Sequence, residues 1–551
     1  MWLKEFSLCF FITSNLFFRS ILCNSCTEDN EVSVSCNNFD DLLRYPNPEK
    51  RKIIHVTSPE VGSDKSSVRE MFMCGGSTFE QYKKVKHFDM FNTGVLSIDS
   101  NCFKGMNDLV TVNLSKNNLT SIDMKVFKAS EDMLIRGINL ESNEILDIDL
   151  KAVVLLKLDT LNLSNNRLTS IYVRTEELPK IVHLNLQNND IWRFGIISET
   201  LVSLDLSNNC IKTFGKAQMI LPSLKNLHLN GNHLTTINED MLGNMPNLRS
   251  IYLAQNLIHT VLVPKLNLLY IDLNYNMIKS TENLEAKFVN HSTLHLSFNK
   301  VFEMIPRSSF GKLTEFVCIF CNIHSIDPYY VHDTAPELES LSLRSNLLKS
   351  AKLFESRSGD LKLISVDLTY NQIKRINIRT FSRLSNVINL FLANNEIQTI
   401  APGAFNRMTM LHTLDLSNNF VYQLPPNLFD QIPIVWLLLN GNNMAYFPIP
   451  GWNTETNEIA DNNSMLNNLQ TLNLENNPFQ CDCLEQIHTW AQRRSFNLKV
   501  YDSKVKAGEK PACIINDEGC KVDVGKDFVK DYWHLFNDNK FQEILLQDED
   551  I

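Results

Sequence analysis

Four cysteines near the C-terminus have the clearest chemistry in this chain of 551 residues. Cys481, Cys483, Cys513 and Cys520 stand in "QCDCLEQ" and "PACIINDEGC". Such a cluster can form two disulfides in an oxidising compartment, or its thiolates can bind zinc. Several disulfide pairings are open to four cysteines. The distance along the chain between the C-x-C pair and the other two cysteines favours disulfides.

The N-terminus indicates that the compartment is oxidising. Residues 1–23, "MWLKEFSLCFFITSNLFFRSILC", combine Lys4 with an apolar stretch, Leu8–Phe18, that is too short to span a bilayer. We therefore predict a secretory signal and a secreted, extracellular mature protein; a buried N-terminal helix is the alternative. No later stretch is long and apolar enough to span a membrane, and the acidic end "QDEDI" argues against a lipid-anchor tail.

The sequence contains no recognisable catalytic motif. The chain has no phosphate-binding glycine loop, no nucleophile elbow, no H-E-x-x-H and no clustered metal ligands. The net charge of −10 is spread along the chain, without the run of Lys and Arg that marks a nucleic-acid footprint. We therefore expect no enzyme activity, no cofactor, no metal and no nucleic-acid partner.

The elements that must position any site are repeats. The pattern L-x-x-L-x-L-x-x-N-x-L, seen in "LVSLDLSNNCI" at 201–211, recurs mostly every 20–26 residues, in about 17 copies. That period and pattern are those of the leucine-rich repeat. Copies begin at Val85, Leu109, Ile135, Leu158, Ile181, Leu201, Leu224, Leu248, Leu268, His291, Leu313, Leu338, Leu363, Val387, Leu411, Ile434 and Leu469.

The spacing within each repeat has a physical cause. Side chains alternate along a strand, so positions 4 and 6 point to the same face, and only stacked coils can bury them in one continuous core. The asparagine at position 9 is expected to satisfy backbone groups of the neighbouring turn, because each unpaired buried polar group costs about 1–3 kcal/mol. This ladder consists of Asn117, Asn143, Asn166, Asn189, Asn209, Asn232, Asn256, Asn276, Asn299, Asn346, Asn371, Asn395, Asn419, Asn442 and Asn477, with Cys321 in place of asparagine in one coil.

The predicted fold is an α/β solenoid, a leucine-rich-repeat horseshoe with a parallel concave strand ladder and disulfide-stapled terminal caps. A solenoid needs such caps because its core is exposed at both ends. The predicted boundaries are a signal peptide at 1–23, an N-terminal cap at 24–84, repeats at 85–479, a cysteine cap at 480–523 and an amphipathic helical tail at 524–551.

The N-terminal cap contains two candidate disulfides. Cys26 and Cys36 bracket "TEDNEVSVS" and are expected to pair, and "RKIIHV" at 51–56 is expected to form a short first strand. Cys74 and Cys102 are a second candidate pair, with isolated core thiols as the alternative.

Three further cysteines have no assigned partner. Cys318 occupies an inward position and Cys321 the ladder position, so both are expected to be buried thiols. Cys210 follows the ladder residue Asn209 at an outward position. An odd cysteine in a secreted protein indicates either an interchain bond or a free thiol, and Cys210 is the candidate for both.

Recognition is the function that the outward positions favour. In the central coils these positions become aromatic and apolar, and exposed aromatic clusters anchor protein interfaces. The alternative is that the rings only pack against one another along the ladder. Candidate ligand-binding residues are Tyr252, Tyr270, Tyr275, His295, Phe298, Ile319, Phe320, Tyr370, Phe391 and Trp436.

Five asparagines stand in N-glycosylation sequons. Asn113 and Asn162 lie in "NLS" sequences that the repeat itself generates. The expected glycosylation sites are Asn118, Asn290 and Asn462, because these lie in turns or loops.

The repeats and the C-terminal cap resemble extracellular leucine-rich-repeat proteins, a group that includes Toll-type receptor ectodomains, Slit-like proteins and small proteoglycans. The caps of that group imply the pairs Cys481–Cys513 and Cys483–Cys520. The order of signal, cysteine-bearing N-terminal segment and long irregular array looks most like the secreted leucine-rich immune proteins of insects. Those proteins often pair covalently through a C-terminal coiled coil, which this sequence lacks, so that pairing is not carried over.

This resemblance implies a secreted, non-enzymatic recognition or scaffold protein in innate immunity. Its concave face would bind protein partners or a microbial surface, and a hetero- or homodimer is left open. One alternative is a receptor-type or cell-adhesion ectodomain. Another is a matrix protein, which predicts a charge stripe for polyanions that the sequence does not show.

Overall fold

A computed structural model describes most of the chain from residue 82 to residue 500 and short segments on either side. It divides into two compact units, residues 1–145 and 146–551. The described residues are 26–28, 33–36, 42, 45, 50–56, 71–73, 82–100, 102–127, 134–151, 154–304, 310–356, 359–426, 428–430, 432–450, 452–453, 458–459, 466–500, 513 and 519–521.

In the first unit a disulfide-closed hairpin leads into a parallel ladder. Cys26–Glu28 pairs antiparallel with Ser33–Cys36, and a disulfide joins Cys26 to Cys36, as predicted. The ladder continues in parallel register from Ser33–Cys36 through Ile53–Val56, His87–Asp89, Thr111–Asn113 and Gly137–Asn139. The first strand predicted in "RKIIHV" is confirmed. The other elements of this unit are the strands Met71–Met73, Val95–Ile98 and Ser121–Ile122 and the 3-10 helix Met124–Phe127.

Aromatic side chains fill the core of the first unit. The ring centroids of Phe88 and Phe103 lie 5.5 Å apart, and those of Phe103 and Phe127 lie 5.8 Å apart. Cys102 is buried and disulfide-bonded. Its predicted partner, Cys74, lies outside the described residues, so that pairing stays a prediction.

The second unit is a longer parallel ladder with one strand for each predicted repeat and a last strand, Asn497–Lys499, from the C-terminal cap. Equivalent residues stay in register, so that Leu184, Leu204 and Leu227 face one another across successive turns. The ladder strands are Thr160–Asn162, His183–Asn185, Ser203–Asp205, Asn226–His228, Ser250–Tyr252, Thr260–Asp272, Leu284–His295, Leu313–Val317, Ser340–Ser342, Ser365–Asp367, Asn389–Phe391, Thr413–Asp415, Trp436–Leu438, Thr471–Asn473 and Asn497–Lys499. The predicted solenoid of about 17 repeats is confirmed.

Short elements connect the ladder strands of this unit. The helices are the α-helices Glu239–Leu242, Tyr330–Thr334 and Cys481–Arg494 and the 3-10 helix Thr281–Asn283. The remaining strands are Asp147–Ile148, Ser170–Val173, Arg193–Ile197, Met219–Ile220, Thr236–Asn238, Glu303–Met304, Ser325–Ile326, Arg375–Ile376, Thr399–Ile400, Trp452–Asn453 and Glu458–Ile459.

The asparagine ladder works as the sequence predicts. In a representative rung, Asn276 Nδ2 donates to the carbonyl oxygens of Leu253 and Leu273 at 2.9 and 3.0 Å, and its Oδ1 accepts from Ile258 N at 2.9 Å. Each rung therefore joins two turns. All the ladder asparagines are buried, which explains why so few residue types are tolerated at this position.

A disulfide in the middle of the second unit corrects one expectation. Cys318 and Cys321 are fully buried but are bonded to each other, so predicting two free thiols was wrong. Positions 6 and 9 of one coil bring their Cα atoms to 5.8 Å, within reach of a disulfide. Cys321 also interrupts the asparagine ladder. In the next turn Asn346 Oδ1 accepts from Ile323 N at 3.0 Å, whereas the side chain of Cys321 does not accept from the equivalent Val301 N.

The C-terminal cap is stapled as its resemblance to extracellular caps implies. Disulfides join Cys481 to Cys513 and Cys483 to Cys520, so the zinc alternative does not apply. The side chain of Gln480 is buried, and its Nε2 donates to the carbonyl oxygens of Ala445 and Lys521.

The helix Cys481–Arg494 covers the end of the core. It buries Leu484, Ile487 and Trp490. The indole of Trp490 packs on the ring of Phe447, with centroids 5.9 Å apart. The predicted signal, the glycosylation site Asn462 and the predicted helical tail lie outside the described residues and stay predictions.

Candidate recognition surface of the central turns

The outward surface of the ladder is formed by two rows of residues from each repeat. We number repeat positions from the first leucine, so that the ladder asparagine is position 9. Positions 3 and 5 lie on the open side of the strands, which we call the strand face. Position 8 lies at the turn after the strand, and in every described repeat it adopts a positive φ. The row of position-8 residues and their outward neighbours at positions 10 and 12 is called the turn edge.

Most polar residues at position 5 have a structural task. The Oδ1 of Asn185 accepts from Gln187 N at 3.0 Å, and that of Asp205 accepts from Ser207 N at 2.8 Å. The same bond recurs at Asn113, Asn139, Asn162, Asp272, Asp367, Asp415 and Asn473. These side chains satisfy a backbone N–H that the turn would otherwise leave unpaired.

In the central turns another residue takes over this task. Ala254 N donates to Asn230 Oδ1 at 2.8 Å, across from the preceding turn. Ser297 N likewise donates to Asn274 Oδ1 at 2.7 Å. Position 5 in these two turns therefore has no capping role and can hold a ring.

The two released positions hold Tyr252 and His295, which form a row of rings on the strand face together with His228 and with the position-3 residue Tyr270. His228 stacks on Tyr252 with centroids 4.1 Å apart, and Tyr252 lies 5.0 Å from Tyr270. The row ends at His295, whose Nδ1 lies 3.3 Å from Tyr270 Oη. For these four rings, packing along the ladder is what the structure shows. All four are half-buried.

Burial controls the protonation of this row. Desolvation raises the pKa of Tyr270 to about 12, and the nearby charge of Asp272 adds to the rise. Desolvation lowers the pKa of His228, while the carboxylate of Asp205 opposes that shift. At neutral pH the row therefore presents a neutral imidazole at His228 and an intact hydroxyl at Tyr270.

A second row of rings lies at the turn edge. Tyr275, Phe298 and Phe320 occupy position 8 of three consecutive turns with φ values of 55°, 59° and 54°. Their centroids are 4.2 and 5.2 Å apart, and their exposed fractions are 50, 42 and 53%. A bulky residue at positive φ is uncommon, and left-handed backbone costs a residue with a side chain about 1–2 kcal/mol. Stacking returns about 0.5–1.5 kcal/mol per pair, so local energetics alone do not favour rings here.

Three apolar residues that sequence reasoning missed extend this row. Met277 and Phe302 lie at positions 10 and 12 of two of these turns, and Leu257 lies at position 10 of the preceding turn; Leu257, Met277 and Phe302 are 40, 52 and 44% exposed. The signal was available in the sequence, because aligning the repeats beyond the ladder asparagine places these residues beside the aromatic row.

Of the other predicted ligand residues, only Ile319 has a described contact with this cluster, since its carbonyl oxygen accepts from Phe298 N at 2.8 Å. Tyr370 is exposed, also has a positive φ, and lies under the guanidinium of Arg344 at 4.9 Å. Trp436 is exposed on a later strand, and Phe391 is half-buried. Ile319 is half-buried beside Phe320, and its N–H donates to Ser297 Oγ at 3.0 Å.

The glycosylation candidates differ in accessibility. Asn118 and Asn290 are exposed. Asn113 and Asn162 are half-buried, and each accepts a hydrogen bond from the hydroxyl of the serine two residues on. The difference in exposure agrees with the preference stated from the sequence, but Asn290 lies in the strand Leu284–His295, so the expectation that it lies in a turn or loop was wrong. Glycosylation stays a prediction.

Cys210 has a free thiol and is half-buried.

Within the described ranges, no helix is long and apolar enough to cross a membrane. No group of three or more His, Cys, Asp or Glu is placed to hold a metal ion in that same part of the chain.

Comparison with known proteins identifies the repeat. The leucine rich repeat family model matches residues 135–191, 222–278, 362–421 and 389–444. With the strand and asparagine ladders, these matches make the fold that of a leucine-rich-repeat solenoid. No curated protein sequence matches it.

Solved structures share the fold at low identity. The Toll–Spatzle complex of Drosophila is similar with a TM-score of 0.58 and 15% identity, over 88% of this chain and 62% of that chain. A leucine-rich-repeat protein of Leptospira interrogans is similar with a TM-score of 0.45 and 18% identity, over 84% of this chain and 99% of that one. The TLR13–ssRNA13 complex is similar with a TM-score of 0.38 and 19% identity, over 78% of this chain and 64% of that one.

Proposed function

We propose that this chain is a secreted, non-enzymatic recognition or scaffold protein that binds a protein partner or a microbial surface through the rings of its central turns. The observation that carries the proposal is the exposed stack of Tyr275, Phe298 and Phe320. Rings at three successive left-handed positions are disfavoured by the backbone and are only half covered by one another. Binding of a partner that covers these rings would explain why aromatic residues occur at these positions.

The energetics of such a contact are adequate for specific binding. Apolar surface removed from water contributes about 25 cal/mol per Å², and aromatic side chains dominate the residues whose truncation weakens interfaces most. Phe298 is stacked between Tyr275 and Phe320, so little of its side-chain freedom remains to be lost on binding. The mechanism is complementarity of shape and surface on a stiff scaffold.

The proposed biological setting is innate immunity, on the strength of the family resemblance. The Toll–Spatzle structure supports a protein partner, because there a chain of the same fold forms a complex with a protein. That likeness also favours the alternative, a receptor-type or cell-adhesion ectodomain. Finding the native protein in extracellular fluid supports the secreted form, and finding it retained on cells supports the alternative.

The proposal is tested with a triple variant and a matched control. Tyr275→Asn, Phe298→Asn and Phe320→Asn together give the turn edge the residue that the chain uses at the same position elsewhere. The control is Asn165→Ser, Asn188→Ser and Asn208→Ser, which changes three polar position-8 residues of earlier turns. Tagged proteins are incubated with extracellular fluid of the source animal, and bound proteins are quantified by mass spectrometry.

A partner bound by the wild type and the control is expected to fall at least about tenfold with the aromatic variant, while the melting temperature stays close to that of the wild type. Equal recovery by all three proteins would overturn the proposal. The same eluates on reducing and non-reducing gels, with Cys210→Ser alongside, test the interchain bond. Such a bond is excluded if no band depends on Cys210.

A further inference from the structure

The turn edge of four consecutive turns combines apolar area with positive charge. Positions 8, 10 and 12 of the turns that begin at Leu248, Leu268, His291 and Leu313 are all exposed. Half of these twelve positions are large and apolar: Leu257, Tyr275, Met277, Phe298, Phe302 and Phe320. Their exposed surface is on the order of 500 Å², at the upper end of what monomers leave uncovered.

The charged residues of this edge are all cationic. Lys279 and Lys300 are exposed and form no ion pair with any described residue. The other four positions hold Gln255, Asn322 and two histidines. No carboxylate falls on the twelve positions, although acidic residues outnumber basic ones by 62 to 52 in the chain.

Two carboxylates of the same turns lie on the strand face and have partners there. Asp272 lies on the strand face and accepts from Asn274 N at 3.0 Å. Glu315 also lies there and accepts from Thr293 Oγ1 at 3.1 Å. The two lysines of the edge therefore have no neutralising group among the twelve positions, and they border the aromatic row.

We propose that this edge docks an acidic segment of a partner polypeptide. The apolar side chains of that segment would cover the aromatic row, and its carboxylates would pair with Lys279 and Lys300. This inference rests on the proposed function and names the chemistry of the partner. Charge complementarity carries it: a basic or neutral apolar segment would cover the rings but leave two ammonium groups unpaired at the border of the interface.

The test uses the full-length protein as bait for a random linear peptide library displayed on phage. Enriched peptides are synthesised, and their Kd is measured for four proteins: the wild type, Lys279→Glu/Lys300→Glu, the triple asparagine variant, and the control Lys212→Glu/Lys225→Glu. The control reverses two exposed lysines in earlier turns; Lys212 also stands at position 12.

Enriched peptides are expected to combine a net negative charge with aromatic or aliphatic residues. The charge reversal at Lys279 and Lys300 should weaken their binding at least about tenfold, with a smaller ratio in high salt, and the control should bind like the wild type. Binding that survives this reversal but is lost in the asparagine variant would overturn the acidic partner and leave the proposed function standing.

Other outcomes assign the edge differently. Enrichment of neutral or basic peptides overturns the inference, and peptides that bind all four proteins equally overturn both proposals, as does an absence of enriched peptides. A concentration-dependent dimer of the wild type that the Lys279→Glu/Lys300→Glu protein does not form would assign the edge to a second copy of the chain and overturn the acidic partner.

Discussion

Two stretches of the same turn edge have the same backbone and opposite surfaces. Asn165, Asn188 and Asn208 occupy position 8 of three successive turns with φ values of 55°, 54° and 54°. Asn188 Nδ2 donates to Asn165 Oδ1 at 2.7 Å, and Asn208 Nδ2 donates to Asn188 Oδ1 at 2.6 Å. A few turns further on, the same position and nearly the same φ hold the stack Tyr275, Phe298 and Phe320.

The left-handed backbone explains the asparagines of one stretch but not the aromatic residues of the other. Asparagine tolerates left-handed backbone well, and its amide finds a partner in the next turn. Aromatic side chains gain neither advantage. Their occurrence at three successive positions therefore indicates that surface contacts, and not the backbone conformation, select the residues of this stretch. The strand face changes in the same turns, because Asn230 and Asn274 take over backbone caps that position 5 provides elsewhere.

The largest loss in the free energy of unfolding is expected for substitutions in the asparagine ladder, which lies beneath both stretches. Asn299→Leu, beneath the aromatic stack, and Asn189→Leu, beneath the polar one, each remove the Nδ2 donations to carbonyl oxygens of two turns and one acceptor of a buried N–H. Both should lower the free energy of unfolding by about 3–5 kcal/mol, measured by urea denaturation. A difference well beyond 1 kcal/mol between them would show that the stretches differ in backbone energetics too.

A smaller effect is expected when a ring is placed in the polar stretch. Asn188→Phe loses two amide hydrogen bonds and places a bulky residue at φ 54° without a stacking neighbour. We expect a loss of about 2 kcal/mol in the free energy of unfolding. Asn188→Ser is the control for the lost hydrogen bonds alone. A loss no larger than that of the control contradicts the claim that rings are disfavoured at this position.

The reverse exchange should change stability least. Phe298→Asn relieves the left-handed ring and gives up its stacking on Tyr275 and Phe320, and these terms nearly cancel. The free energy of unfolding should stay within about 1 kcal/mol of the wild type in urea denaturation. A loss several times larger would mean that the ring is a structural residue, and would remove the basis of the proposed function.

The titration of Tyr270 tests the strand face. Its raised pKa favours the neutral hydroxyl in the folded state, so its stabilising contribution is present below pH 10 and is lost as the pH rises from 10 towards about 12. In an absorbance titration at about 295 nm, Tyr270→Phe should remove a tyrosine that ionises late. If Tyr270→Phe instead removes a tyrosine that ionises near pH 10, the strand-face row is more open than its geometry indicates.

Several features of the molecule were fixed by the sequence alone. The repeat positions, the buried asparagine ladder, the first strand and the disulfides Cys26–Cys36, Cys481–Cys513 and Cys483–Cys520 all follow from residue types at regular spacing or from resemblance to extracellular caps. These features are predictable because inward positions meet the same environment in every turn, so one local pattern suffices.

Only the tertiary structure decided which outward residues are occupied and which are available. Asp205 and Tyr252 hold the same position on their strands, yet one caps its own turn and the other is released because Asn230 of the preceding turn accepts from Ala254 N. The disulfide between Cys318 and Cys321 has the same origin. These outcomes depend on distances within a closed turn and across to the neighbouring turn, which a pattern read along the chain does not contain.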